Sequence, residues 1–535
     1  MGASADVRGG QVMKLRLGAG AGAALAGLGL GLLALGPALG PGYVLAYDMV
    51  FVPSPRFSTT MLGLTGTLPR AVPSDAVVTA LAQVLPADLV QKCILLAIFV
   101  LACAGAARLL AGEHWLARIA AGVFYAWNPY VAERLLIGQW ALLLGYAALP
   151  WVLAALTRPA VSLARTSGRL LVALIPAAVG GFAAMLLAAL VALPAAAWRR
   201  GSARDRVATV AAALGVLALL SLPWLIPSLT RQVHTSPAGV AAFAARADTP
   251  FGTAGSVVML GGAWNAQTVP AGYGGAVSVL WLCLVVVALA GFVRLGRSRW
   301  PGLGPAAVAG LVLALLGSVG PGQHLLHAMI GGWPGFAVLR DGQQFVAPLA
   351  LAEAAGFGLA TAWVLRLQRP AFIREGTAVL AAAAVIAPVL FLPGLAFGAA
   401  GRLRPVQYPA AWLAARRVIN ADPRPGSVLL LPWASYRRFG WNHGEAMLDP
   451  WPRLVTRTVI WNDGVEVGPL QLPPEDPAAQ ALNGVVMAGG PLTRRLAAAG
   501  VRFVIVDSDP RAVAGRLAGC AVAFSGPGLV VYRVP

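Results

Sequence analysis

The sequence predicts a polytopic α-helical membrane protein of about eleven transmembrane helices, followed by a C-terminal extracytoplasmic α/β domain. Three observations carry that expectation. The 535 residues are 58% hydrophobic and only 11% charged, with a mean hydropathy of +0.75, against roughly 25% charged in soluble domains. Apolar runs long enough to span a bilayer core of roughly 30 Å, which takes about 20 helical residues, recur from Leu17 to Phe397. From about Arg402 the composition changes to that of a soluble α/β domain.

The apolar runs place spans near residues 17–40, 90–110, 115–132, 139–157, 169–183, 184–198, 207–229, 276–294, 302–319, 345–365 and 376–398. The fifth and sixth share one long stretch interrupted by Pro176 and Gly180-Gly181, which reads as a tight helical hairpin. The first run follows Arg8, Lys14 and Arg16 and is too long for a cleaved leader, so it reads as an uncleaved span.

Net charge is +20, yet its distribution points away from nucleic acid. The loops assigned to one side hold Arg108 and Arg118, then Arg158, Arg165 and Arg169, then Arg199, Arg200, Arg204 and Arg206. Arg294, Arg297 and Arg299 follow, then Arg366, Arg369 and Arg374. Basic loops are retained in the cytoplasm. The threading therefore predicts a plasma-membrane protein with a cytoplasmic N-terminus (1–16), a transmembrane region (17–400) with a long first outer loop (41–89), and an extracytoplasmic domain (401–535). In that last domain a helix is expected at Tyr408–Asn420, strands at Ser427–Leu431 and Phe503–Val506, and a hairpin at Ala521–Phe524 and Leu529–Tyr532.

The outer loops hold the residues that chemistry would use. Asp48 lies just beyond the first span between aromatic and aliphatic neighbours, where desolvation raises a carboxylate's pKa and makes it a better base. Pro73-Ser74-Asp75 opens an amphipathic helix on the outer leaflet, with Asp75 as its cap. Asn128, Glu133, Arg134 and Gln139 crowd the second outer loop, where charge at a span end is costly unless paired or used. Arg134 suits bidentate recognition of a lipid-linked phosphate. Trp264 and Asn265 belong to the third loop, with His234 and Asp248, and Arg340 and Asp341 to the fourth. Tyr47, Asn128, Glu133, Gln139, Trp264, Asn265 and Asp341 are the candidate substrate ligands.

His324 and His327 lack a carboxylate partner on their helix, and Cys93, Cys103, Cys283 and Cys520 have no metal-ligand spacing. No metal site is therefore assigned, and a divalent cation is left open as cofactor. In the C-terminal domain, Trp433, Tyr436-Arg437-Arg438, Trp441-Asn442-His443 and Trp461-Asn462-Asp463 are of the kinds that stack on and hydrogen-bond to sugars, and equally of the kinds that anchor loops. No P-loop, dinucleotide fingerprint, zinc-protease helix or Gly-x-Ser-x-Gly elbow occurs.

Taken together, Asp48 after the first span, Asn128-Pro129-Tyr130-Val131-Ala132-Glu133-Arg134 through Gly138-Gln139-Trp140 to Leu149-Pro150-Trp151, and Leu339-Arg340-Asp341 to Phe345 resemble the GT-C superfamily of membrane glycosyltransferases. The middle block is most similar to the membrane region of actinobacterial α-(1→3)-arabinofuranosyltransferases. The Ala-, Gly- and Arg-rich composition fits such a source. Many members carry two adjacent acidic residues in the first loop, whereas Asp48 stands alone. The resemblance implies a cell-envelope enzyme that takes a sugar from a polyprenyl-phosphate donor to a glycan or glycolipid acceptor with inversion. In it, Asp48 would be the base and Arg134 and Arg340 would stabilise the leaving phosphate. The alternative is a non-catalytic lipid-sugar carrier or envelope-assembly partner on the same scaffold. An ion-coupled transporter ranks behind it, since Glu353 is the main buried charge expected in the spans.

Overall fold

A computed structural model describes residues 20–159, 162–230, 233, 235–367, 371–467 and 470–535, with the side chains of 371–375 left aside. The expected N-terminal segment 1–16, His234 and Arg369 lie outside the described residues, as does the side chain of Arg374.

Among the described residues, seven helices are long and apolar enough to cross a membrane: Gly20–Leu39, Ala87–Leu109, Trp140–Thr157, Leu163–Gly180, Ala203–Thr230, Val277–Gly296 and Gly342–Leu365. An eighth is reached if Leu303–Leu316 and Gly320–Gly332, which meet at a 91° bend, form one span. In chain order the elements run α1 (Gly20–Leu39), β1 (Tyr43–Val44), α2 (Ser74–Leu81), α3 (Ala87–Leu109), α4 (Trp115–Ala126), α5 (Pro129–Leu136), α6 (Trp140–Thr157), α7 (Leu163–Gly180), α8 (Phe182–Ala197) and α9 (Ala203–Thr230). After them come α10 (Gly252–Val258), α11 (Val277–Gly291), α12 (Leu303–Leu316), α13 (Gly320–Gly332), α14 (Ala347–Leu365) and α15 (Ala371–Phe391).

The expected spans at 115–132 and 376–398 are shorter helices than the pattern suggested, and the one at 184–198 is a 16-residue helix, Phe182–Ala197. In the first case the apolar run is cut by Asn128-Pro129. Asn128 accepts a hydrogen bond from the Val131 amide at 3.0 Å, and Pro129 takes the first helical position, so the pair starts α5 and ends α4. The expected hairpin is present, with its break at Gly181 (φ 78°) and Pro176 inside α7. Gly180 packs on Ala141 and Gly145 on Ala184, so both arms lie against α6. Small residues let other helices approach as closely, as at Gly291 and Gly356, where an added Cβ would sit 2.2 Å and 2.0 Å from a facing carbonyl oxygen.

The loops gather into two groups. Glu113, after α3, pairs with Arg299 at 2.8 Å and with Arg366, and Arg200 reaches the Ser298 carbonyl. Loops expected on the basic side thus meet one another. The 40s, the 130s, the 260s and the 340s meet at the other end. Asp75 departs from its expected role, since it pairs with Arg453 at 2.8 Å instead of capping α2. Glu353 is fully buried, and neither oxygen has a hydrogen-bond partner among the described residues; no arginine pairs with it there.

After α15 the short α16 (Ala396–Gly401) takes left-handed φ from Phe397 to Ala400. Then β2 (Pro405–Val406) pairs antiparallel with β1, which fastens the chain after the first span to the start of the C-terminal region. There follow α17 (Ala410–Ala421), β3 (Ser427–Leu431), β4 (Tyr436–Arg438), β5 (Ala446–Leu448), α18 (Trp451–Leu454), β6 (Val459–Ile460), β7 (Glu466–Val467), β8 (Leu470–Gln471), α19 (Pro477–Met487), α20 (Thr493–Ala498), β9 (Val501–Val506), α21 (Arg511–Ala514), β10 (Ala521–Gly526) and β11 (Leu529–Arg533). Five strands form a mixed sheet in the order β10-β11-β9-β3-β6. β3 is buried from Val428 to Leu431 and pairs parallel with both β9 and β6, and a continuous apolar run is what such a two-sided burial needs.

Candidate active site

Asp48 is positioned by a close crossing of two loops. Its amide donates to the Ile137 carbonyl at 3.2 Å, and Gly138 makes the approach feasible. A Cβ at Gly138 would lie 2.2 Å from the Ala46 oxygen and 2.3 Å from the Met49 nitrogen, and its φ of 80° is one that side chains disfavour. On the other flank, Tyr47 is tied into β5: its amide donates to Ala446 at 2.7 Å and its carbonyl accepts from Leu448 at 2.8 Å.

The Asp48 carboxylate has two side-chain partners. Tyr436 on β4 donates its hydroxyl to Oδ1 at 2.5 Å, and Gln139 donates from Nε2 to Oδ2 over a long 3.5 Å. Burial raises the Asp48 pKa above the usual carboxylate range, while these two hydrogen bonds pull it partway back down. Tyr436 was noted in the sequence only as an aromatic beside arginines. Nothing local marks it as the partner of a residue 388 positions earlier.

Behind Gln139 lies a sealed polar cluster. Arg134 donates from Nη1 to Gln139 Oε1 at 2.6 Å and to Asp341 Oδ2 at 2.5 Å, and from Nη2 to Asp341 Oδ1 at 2.9 Å and to Gln343. Its side chain is 3% exposed. The phosphate role expected of Arg134 is therefore not what this geometry offers, because its guanidinium is spent on Asp341 and two glutamines. Holding Gln139 by its oxygen turns that amide's NH2 toward Asp48. Gln343, which the sequence reading passed over, also donates to Glu133 Oε2 at 3.0 Å and to the Gly261 carbonyl at 3.1 Å. Glu133 and Asn128 are buried and do not line the cavity described below, so neither meets a substrate there. Asn128 is consumed in capping α5 and in donating to Phe124, Tyr125 and Tyr146. Burial, and then Asp248, push Glu133 well above the carboxylate range.

Asp48 opens into a cavity of about 1140 Å³ between the loop ends of the helical region and the C-terminal region, a size that suits a large ligand. Of the sequence candidates, Tyr47, Gln139, Trp264, Asn265, Arg340 and Asp341 line it with Asp48. Tyr47 donates its hydroxyl to Gln267 Oε1 at 2.5 Å, and Arg438 reaches the same oxygen at 3.2 Å. Trp264 packs edge-on against Phe243 with centroids 4.7 Å apart. Arg340 stacks over the other partner of that pair, Phe243, at 5.3 Å. Burial, with Arg70 close by, brings Arg340 down to about 10. Arg70, Tyr436 and Asp463 line the cavity as well, and burial raises Asp463 to about 6. Among the described residues no group of three or more His, Cys, Asp or Glu side chains could hold a metal ion, and His324 and His327 both point outward from α13 as exposed residues.

An enclosed, partly desolvated carboxylate thus faces a large cavity at the loop ends of the helical region. The fold is similar to that of the arabinofuranosyltransferase AftD from Mycobacteria, solved by cryo-EM: the superposition has a TM-score of 0.59 at 17% identity and covers 96% of this chain. It covers 41% of AftD, so this chain spans well under half of that protein's length. No protein-family model and no curated protein matches the sequence.

Proposed function

We propose that this protein is a membrane glycosyltransferase of the GT-C kind, moving a sugar from a polyprenyl-phosphate donor to a cell-envelope glycan or glycolipid. The observation that carries the reading is Asp48, a carboxylate of raised pKa, held by Tyr436 and Gln139 at the wall of a cavity bounded by membrane helices and the C-terminal region. Asp48 takes the proton from an acceptor hydroxyl. The hydroxyl oxygen bonds to the anomeric carbon from the face opposite the phosphate, the bond from that carbon to the phosphate oxygen breaks, and its electron pair leaves on the phosphate. A single displacement of this kind inverts the anomeric centre. Arg340 meets the charge that grows on the departing phosphate, and Arg134 acts through Gln139 as a positioning residue. Tyr47, Trp264, Asn265 and Asp341 bind the sugars.

The cavity's boundary suits such a donor, whose prenyl chain stays in hydrocarbon while its sugar is wet. In this reading the N-terminus is cytoplasmic, residues 17–400 form the membrane region, and residues 401–535 lie outside. Residues 41–89 form the first outer loop.

The test is sugar transfer by the purified protein in lipid nanodiscs with a panel of polyprenyl-phosphate sugars, Asp48→Asn beside wild type. Transfer that depends on Asp48 supports the enzyme and names its donor. No transfer from any donor, with Asp48→Asn complementing a deletion strain fully, would move the reading to a lipid-sugar carrier or assembly partner.

A further inference from the structure

Arg70 and Arg340 line the same cavity and meet the buried Glu475 behind its wall, an array that the proposed transfer reaction leaves mostly unused. Arg70 comes from the first long loop, Arg340 from the segment before α14, and Glu475 from the turn before α19. Arg70 donates from Nη2 to Glu475 Oε2, an oxygen that Thr67 also reaches with its hydroxyl at 3.3 Å. Arg340 Nη2 lies 3.6 Å from the other carboxylate oxygen, Glu475 Oε1. Two guanidinium groups from the helical region thus bracket one carboxylate from the C-terminal region. Among the described residues, Arg340 is otherwise held by a 3.4 Å hydrogen bond to the Ser236 carbonyl and by the face of Phe243. Asp48 and Tyr436 lie within electrostatic reach of Arg70, which puts this array beside the proposed base.

A planar carboxylate between two guanidinium forks occupies the place that two oxygens of a phosphate would take. Two guanidinium groups face the one Glu475 carboxylate in direct contact, with Asp463 behind it bound to the backbone of the same turn, and a phosphate monoester carries about −1.5 to −2 at pH 7. Glu475 is mounted on a short turn: its amide and that of Asp476 both donate to Asp463 Oδ1, at 2.9 Å and 3.3 Å. A carboxylate that leaves the two arginines therefore takes with it a turn of the C-terminal region, on the cavity wall.

We propose that Arg70 and Arg340 form a phosphate-binding site for which Glu475 is the built-in competitor, so that a phosphorylated lipid headgroup binds by displacing the Glu475 carboxylate. The proposal rests on the donor reading above and adds to it a specific pair of ligands and a cost of entry. The leaving lipid phosphate carries more charge than the sugar phosphodiester, so it displaces Glu475 more readily. Return of Glu475 to the arginines then helps to expel it.

The experiment measures affinity of the full-length protein in nanodiscs for undecaprenyl phosphate, undecaprenol and inorganic phosphate, in wild type, Glu475→Gln and Arg70→Gln. The expected result is binding of undecaprenyl phosphate at least fivefold tighter in Glu475→Gln and at least tenfold weaker in Arg70→Gln, with undecaprenol unaffected by either change. Inorganic phosphate that binds as well as the lipid would assign the site to a free anion and overturn the headgroup. Unchanged or weaker binding of undecaprenyl phosphate in Glu475→Gln overturns the competitor. Should that variant fail to fold, Glu475→Asp, whose shorter reach loosens the same contact, carries the comparison with the same expected sign. Sugar transfer by wild type separates the two readings: transfer with no tightening in Glu475→Gln keeps the enzyme and removes the competitor. Tightening without transfer keeps the phosphate site and removes the enzyme.

Discussion

Arg134 and Arg340 stand on either side of Asp341 and are built for different work. Arg134 meets Asp341 through two parallel hydrogen bonds, with two glutamines filling the rest of its fork and almost no exposure. Arg340 has an aromatic face beneath it, one weak backbone contact and a carboxylate at 3.6 Å, and it opens onto the cavity. A charge whose two terminal nitrogens are both engaged fixes geometry, as at Arg134; one held loosely by a neighbour is ready to exchange that neighbour for a ligand. Buried arginine is thus a scaffold in one place and a receptor in the other, and the difference lies in how completely its donors are matched.

Four substitutions sharpen or break this division between framework and chemistry. The largest effect is expected at the proposed base. Asp48→Asn should lower sugar transfer about 10²- to 10⁴-fold without lowering the melting temperature, and a rate within tenfold of wild type would remove Asp48 from the chemistry. Next is Arg134→Gln, which strands Asp341 and should destabilise the protein by about 3–5 kcal/mol. Thermal or denaturant unfolding in detergent would read that loss. If the same substitution left stability unchanged and raised only the KM for donor, Arg134 would be a receptor after all and the comparison would fail.

Arg340→Gln is the counterpart: little change in stability, with donor phosphate binding weakened by about 1.5–3 kcal/mol, the value of a charged hydrogen bond. The smallest effect belongs to Tyr436→Phe. The Tyr436 hydrogen bond lowers the Asp48 pKa, so its loss lets that pKa climb further. The base must be ionised to work, so transfer falls as pH drops through this pKa, and the acid limb of the rate profile should move to higher pH in Tyr436→Phe. A shift to lower pH would contradict the hydrogen bond's direction.

Much of the architecture was legible along the chain because lipid as solvent demands long apolar runs, and because arginines mark one set of loops. Strand β3 was readable for a related reason, since burial on both faces leaves an uninterrupted run from Val428 to Leu431. Asn128-Pro129 misled in an instructive way. The pair was read as a loop near a span end, whereas a capping side chain followed by a proline at the first helical position is the signal of a helix start. For the site, Asp48 could be singled out from its neighbours alone. The roles of its partners could not, because each depends on pairing at long range: Arg134 is neutralised by a residue 207 positions away. Arg70 and Glu475, 405 positions apart, carry no local mark that they face each other.

The hydrogen bonds that hold Asp48 come from residues 91 and 388 positions further along the chain, and that spacing has a temporal meaning. A growing chain that has already inserted its first span and displayed Asp48 still lacks Tyr436, β5 and the β1–β2 fastening. The proposed base is assembled only when the chain has been synthesised past β5 and that region has docked on the first loop, so a shorter copy resting in the membrane is silent by construction.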